Sequence, residues 1–189
     1  AQAVVIACNT ATAAAIATLR EEYPDIPFVG MEPAIKPAIL ATRNGIIGVL
    51  ATESTLHSAK YIDTRERYAQ GVRVVEHVGE GFVELVESLD LDSAHTREVV
   101  DSSLRPLLQS GADTVVLGCT HYPFLLPVMQ ELAGPQVDFI DPAPAAARQL
   151  ARVLQSKALS TGTGPGSVQI KSSGPIDSVR RLYESLKLG

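Results

Sequence analysis

Cys8 and Cys119 are the only two cysteines of the chain, and they stand in the same phrase. Val4-Val5-Ile6-Ala7-Cys8-Asn9-Thr10 and Val115-Val116-Leu117-Gly118-Cys119-Thr120-His121 each run from strand hydrophobics through a small residue to a thiol, then to polar residues and a helical pattern. Such repetition points to two related halves. In open α/β sheets ligands bind beyond the carboxyl ends of strands, where a helix N-terminus favours a thiolate. A lone cysteine after a strand is often only a small buried hydrophobe. Two in matched settings, each followed by donors, are better explained by chemistry. Asn9, Thr10, Thr120 and His121 supply those donors. A protonated His121 would lower a thiol two residues away.

The pairing narrows the chemistry. A hydrolase needs one cysteine with a base, and a redox pair needs two close in sequence. A disulfide is disfavoured in a chain that reads as cytoplasmic. Neither motif has the Cys-x-x-Cys or His-x-x-x-His spacing of a metal site. No lysine stands in a context that points to pyridoxal, so no cofactor is expected. Two facing thiols suit proton transfer across one carbon, one thiolate removing a proton and the other thiol returning one to the opposite face. Each thiol is then expected to have its pKa lowered.

The elements that must position these groups alternate. Strands are expected at Val4–Ala7, Pro27–Val29, Ile46–Leu50, Val72–Glu76, Thr114–Leu117, Val137–Ile140 and Val168–Ser172. Helices are expected at Ala11–Glu22, Pro33–Arg43, Thr55–Ala69, Gly81–Ser88, Ser93–Ser110, Phe124–Ala133, Ala143–Gln155 and Ile176–Leu186. Ser93 or Asp92 is a candidate N-cap, as are Asp141 and Ser173. This order gives βαβ units and a mostly parallel sheet, an α/β fold. Ser156–Ser167 is Gly-rich and polar and reads as a loop, without the Lys-Ser/Thr ending of a P-loop. His57, His77 and His95 read as surface or structural histidines.

Composition sets outer limits. The 189 residues are 46% hydrophobic and 20% charged, with a net charge of -5. That suits a globular enzyme and disfavours nucleic acid or an anionic membrane as partner. Hydrophobic runs are strand-sized, too short to cross a membrane. The first strand begins three residues from Ala1, so the sequence reads as a fragment whose earlier strands are absent.

Ile6-Ala7-Cys8-Asn9-Thr10-Ala11 and Leu117-Gly118-Cys119-Thr120-His121-Tyr122-Pro123 resemble motifs of the cofactor-independent aspartate/glutamate racemases. Gly30-Met31-Glu32-Pro33, the segment Gly48–Ser58 and Phe82-Val83-Glu84-Leu85-Val86-Glu87 extend the resemblance along the chain. It implies two pseudo-symmetric α/β domains, residues 1–30 with 141–189 and residues 31–140, around an active-site cleft. It implies glutamate as the small-molecule substrate, D-glutamate for peptidoglycan as the product, and Cys8 and Cys119 as catalytic thiols with His121 assisting. Asn9, Thr10, Thr52, Thr55, Thr120 and Glu87 would line the substrate site. Members often pair as homodimers, and that expectation carries over. The family's Asp-Ser-Gly and Pro-Tyr-Gly segments are absent, so this chain alone is expected to be weakly active or inactive. Val78-Gly79-Glu80-Gly81 departs from the Cys-Pro that many members carry there, and resembles members activated by a peptidoglycan precursor. An aspartate- or hydantoin-type racemase and a racemase-like binding protein are the alternatives.

Overall fold

The computed structural model describes residues 1–159, 164 and 166–186. All strand pairing among them is parallel, as the alternating pattern requires. β1 (Val4–Ile6) pairs with β2 (Phe28–Gly30), Val5 opposite Val29. A separate four-stranded sheet has the order β4-β3-β5-β6, from β3 (Ile46–Ala51), β4 (Arg73–Val78), β5 (Thr114–Gly118) and β6 (Asp138–Ile140). The central pair β3 and β5 is almost wholly buried, which is why both read as unbroken apolar runs.

Helices fill the connections. α1 (Asn9–Glu22) is alanine-rich, favours helix for that reason, and ends at Tyr23 before Pro24. α2 (Ile35–Ala41) follows the crossover into the second sheet. One helix was expected at Thr55–Ala69, but the chain forms two, α3 (Glu53–Leu56) and α4 (Ala59–Tyr68). Two hydroxyls cause the break: Thr52 caps α3, and Ser58 restarts the helix by accepting from the Tyr61 N–H at 3.3 Å. α5 (Phe82–Ser88) and α6 (Ala94–Gln109) follow, the latter capped by Ser93, which accepts from the Thr96 N–H at 3.1 Å. A 3₁₀ turn, Tyr122–Leu125, leads into α7 (Leu126–Ala133). α8 (Ala143–Ser156) has Pro142, not the expected Asp141, at its N-cap position, while the Asp141 side chain accepts from the Ala143 N–H at 2.8 Å just before the helix. α9 (Ile176–Ser185) closes the described chain.

Two expectations fail. Val168–Ser172 is not a strand: it is irregular, pairs with neither sheet among the described residues, and leaves Val168 exposed. Ser173 does not cap α9, since Pro175 holds the N-cap position and Ser172 instead accepts from the Gly174 N–H. Residues 160–163 and 165 of the expected Gly-rich loop lie outside the described residues.

The two sheets differ in support. One face of the larger sheet packs on α5, α6 and α7 through Leu50, Val115 and Leu117 against Phe82, Leu104 and Met129. The other face packs on α2 and α4 through Ile47, Val49 and Val116 against Ile35 and Tyr61. Each such buried side chain contributes about 1.5–3 kcal/mol. The β1–β2 unit buries far less, chiefly Ile16, Phe28, Val29 and Met31.

Candidate active site

Both cysteines lie just past the carboxyl end of a strand, Cys8 after β1 and Cys119 after β5. Cys8 occupies the N-cap position of α1 and is exposed, with its carbonyl accepting from the Thr12 N–H at 2.8 Å. Thr12, one turn into α1, is fully buried. Its hydroxyl donates to the Ile6 carbonyl at 3.1 Å and accepts from the Met31 N–H at 3.0 Å. The turn bearing Cys8 is thereby fixed to the ends of both β1 and β2. Gly30 makes room for this packing, because a Cβ there would lie 2.5 Å from the Thr12 methyl.

The second turn is packed just as closely. A Cβ on Gly118 would lie 2.5 Å from the Ala51 Cβ and 3.2 Å from the Leu50 carbonyl oxygen. Only glycine lets the end of β5 approach β3 so nearly, and Cys119 follows directly. Cys119 is half-buried, and its sulfur lies 3.7 Å from His121 Nδ1. His121 Nε2 lies 3.5 Å from Glu87 Oε1 on α5. Sulfur, imidazole and carboxylate thus form one chain. Tyr122 braces it: the ring is fully buried, stacks edge-on against Phe82 at 5.0 Å, and its hydroxyl donates to the Gly79 carbonyl at 3.2 Å.

The expected lowering of the thiol pKa does not hold at Cys119. Burial pushes that thiol above its ordinary range, and negative charge on Cys8 pushes it the same way. The His121 and Tyr122 backbone N–H groups and the Thr120 side chain pull it down, but by less. The physical reason is that these hydrogen bonds return less than the hydration that burial removes. Burial thus favours the protonated form of Cys119.

Side chains from both sheets meet at this edge. Asn9 is buried, and its Nδ2 donates to the Gly118 carbonyl at 2.8 Å, while its Oδ1 has no partner. Thr10 Oγ1 lies 3.2 Å from Thr55 Oγ1 and 3.4 Å from Thr52 Oγ1, and the latter two are 2.9 Å apart. Asn9, Thr10, Thr52, Thr55, Thr120, His121 and Glu87 are all brought to the neighbourhood of the thiols. Thr12 was not anticipated as a contributor, though it lies one helical turn past Cys8 and so had a signal. Among the described residues no group of three or more His, Cys, Asp or Glu gathers that could hold a metal. A separate cavity of about 790 Å³ opens between α2, α4, β2 and α8, and neither thiol lines it.

Comparison with known proteins agrees with this arrangement. Residues 1–150 match the family model described as Asp/Glu/Hydantoin racemase. The chain belongs to this racemase family. A glutamate racemase of Ectopseudomonas mendocina is 48% identical over 186 residues, which cover 98% of this chain and 71% of the relative. One from Pseudomonas aeruginosa is 52% identical, with 98% and 70% covered. Among solved structures, the Escherichia coli glutamate racemase in complex with L-glutamate and activator UDP-MurNAc-Ala superposes with a TM-score of 0.80 at 30% identity, covering 98% of this chain and 70% of that one. The glutamate racemase isoform RacE1 of Bacillus anthracis gives 0.79 at 32%, with 97% and 69% covered. As a racemase, this chain carries its only two thiols in two strand-end turns, one after each of β1 and β5. No described helix is long and apolar enough to cross a membrane.

Proposed function

We propose that this racemase interconverts L- and D-glutamate by a two-base mechanism in which Cys119 and Cys8 work on opposite faces of Cα. The observation that carries the reading is the pair of thiols on the ends of β1 and β5, one from each sheet, close enough that charge on Cys8 acts on Cys119. Starting from L-glutamate, His121 takes the Cys119 proton, and the thiolate then takes the Cα proton. The Cys8 thiol delivers its proton to the other face and is left a thiolate, and after product leaves, the proton held by His121 passes through solvent back to Cys8 and resets the site. D-glutamate runs the same path in reverse. Glu87 steadies the imidazolium that His121 becomes. The unpartnered Asn9 Oδ1 accepts from the substrate ammonium, and the hydroxyls of Thr10, Thr52, Thr55 and Thr120 donate to its carboxylates. The β1–β2 unit with α1, α8 and α9 forms one domain, residues 1–30 and 141–189, and the larger sheet forms the other, residues 31–140. The reaction is placed in the cytoplasm, where two free thiols stay reduced.

Racemisation in deuterium oxide tests this. L-glutamate should give D-glutamate carrying one deuterium at Cα, with kcat/KM for glutamate at least about a hundredfold above that for aspartate. Unlabelled product would rule out the two-base path, and an aspartate preference would favour the sister activities of the family.

A second reading concerns the cavity beside α8. Of the cations lining it, Lys60 pairs with Glu32 and Arg67 with Asp63, whereas among the described residues Arg20, Lys36 and Arg148 have no ion-pair partner, Arg20 donating to the Phe28 carbonyl and Lys36 lying over the Tyr68 ring. The E. coli relative was solved with a nucleotide-linked activator. We propose that this cavity takes an anionic ligand of that class. UDP-MurNAc-Ala should raise kcat/KM at least about fivefold, and Lys36→Ala with Arg148→Ala should remove that gain while sparing the basal rate. Full activation of the double variant would exclude this cavity.

A further inference from the structure

Asn9 is the residue after one thiol, and Gly118 is the residue before the other. The hydrogen bond from Asn9 Nδ2 to the Gly118 carbonyl at 2.8 Å therefore joins the two thiol-bearing turns directly, across 109 positions of sequence. Both ends are rigid. On one side Thr12 fixes the Cys8 turn to β1 and β2. On the other, Gly118 is pressed against Ala51 and Leu50, so its carbonyl cannot drift without moving β5. The bond is buried, where water does not compete for it. Among the described residues, Asn9 and Thr10 are the only residues of α1 or its capping turn whose side chains hydrogen-bond to the larger sheet or the turns leaving it. The Thr10 contacts run hydroxyl to hydroxyl at 3.2–3.4 Å and are the looser of the two.

We infer that Asn9 is a positioning residue, a latch whose amide N–H₂ sets the separation of Cys8 and Cys119 across the substrate carbon. This rests on the two-thiol reading and goes beyond it. Binding of the ammonium would use only Oδ1, the atom left without a partner. The latch uses Nδ2, and the two roles separate by substitution. Two-base transfer needs both sulfurs within reach of one carbon, and a displacement of about 1 Å costs about a hundredfold in rate.

The test uses Asn9→Asp and Asn9→Ala in the purified enzyme. Aspartate keeps an acceptor and removes the donor to Gly118; alanine removes both. A short bifunctional thiol reagent, read by mass spectrometry, reports whether Cys8 and Cys119 can still be bridged within a fixed span. In Asn9→Asp we expect bridging to slow at least about fivefold while single alkylation of each thiol continues, and kcat to fall at least about tenfold in both directions with KM changed less than about threefold. Asn9→Ala should lose bridging equally and also raise KM. Thermal melting controls for folding, and a variant that melts early is replaced by Asn9→Ser. Wild-type bridging in either variant overturns the latch, as does a rise in KM alone. Failure of the unmutated enzyme to racemise glutamate would overturn the proposed reaction, while lost bridging in the variants would still support the latch.

Discussion

Cys8→Ala and Cys119→Ala should each lower racemisation about a thousandfold or more, because each turnover needs one thiolate and one thiol. The equilibrium constant between enantiomers is one, so kcat/KM must fall equally in both directions, and rates alone cannot tell which cysteine serves which face. Isotope exchange can. With Cys8 gone, Cys119 still removes the Cα proton of L-glutamate and returns a solvent proton to the same face. Deuterium should then wash into L-glutamate without forming the D-enantiomer. Cys119→Ala should do the converse, labelling D-glutamate alone. Proton NMR of each pure enantiomer in deuterium oxide gives the answer. Racemisation at the wild-type rate by either variant would refute the mechanism, and reversed labelling would exchange the two roles. Neither substitution should unfold the chain. Cys8 is exposed and Cys119 only half-buried, so little packing is lost.

Much of this site was legible because its signals are local. A thiol after an unbroken apolar run is positioned by the strand itself, and β5 is buried at every residue, as its run of Thr114-Val115-Val116-Leu117-Gly118 implies. Glu87 was placed near the site by motif likeness, and α5 does carry it to His121. What escaped depends on distant pairing. The Asn9–Gly118 bond has no local signature, because its ends are 109 residues apart. The reach of Tyr122 to Gly79 depends on how α5 meets the turn after β5. The balance at Cys119 was misjudged because a helix N-terminus can be read from sequence, whereas the cost of burying the sulfur depends on the packed environment. Val168–Ser172 has strand-like residues, but a strand also needs a pairing partner, and this segment joins neither sheet.

That misjudged balance leads to the sharper test of His121. Burial pushes the Cys119 thiol up, and in the proposed mechanism His121, 3.7 Å from the sulfur, takes the proton as the reaction begins. In the Cys8→Ala background, deuterium exchange into L-glutamate reports Cys119 alone. Adding His121→Ala should slow that exchange about 10- to 100-fold at pH 7. The sign of the pH response follows from the direction of the shift. A raised thiol pKa leaves Cys119 protonated below the ordinary thiol range of about 8.5, and ionisation comes only above it. Exchange without His121 should therefore climb with pH up to and beyond that range, and the deficit should shrink as solvent base replaces the imidazole. Glu87→Gln should have a weaker effect of the same sign, about several-fold, since the carboxylate is exposed and acts only through the ring. In the Cys119→Ala background, exchange into D-glutamate through Cys8 should not respond to His121→Ala. Equal slowing at both thiols would mean that His121 holds the substrate, whereas slowing confined to Cys119 identifies it as the base that the buried thiol requires.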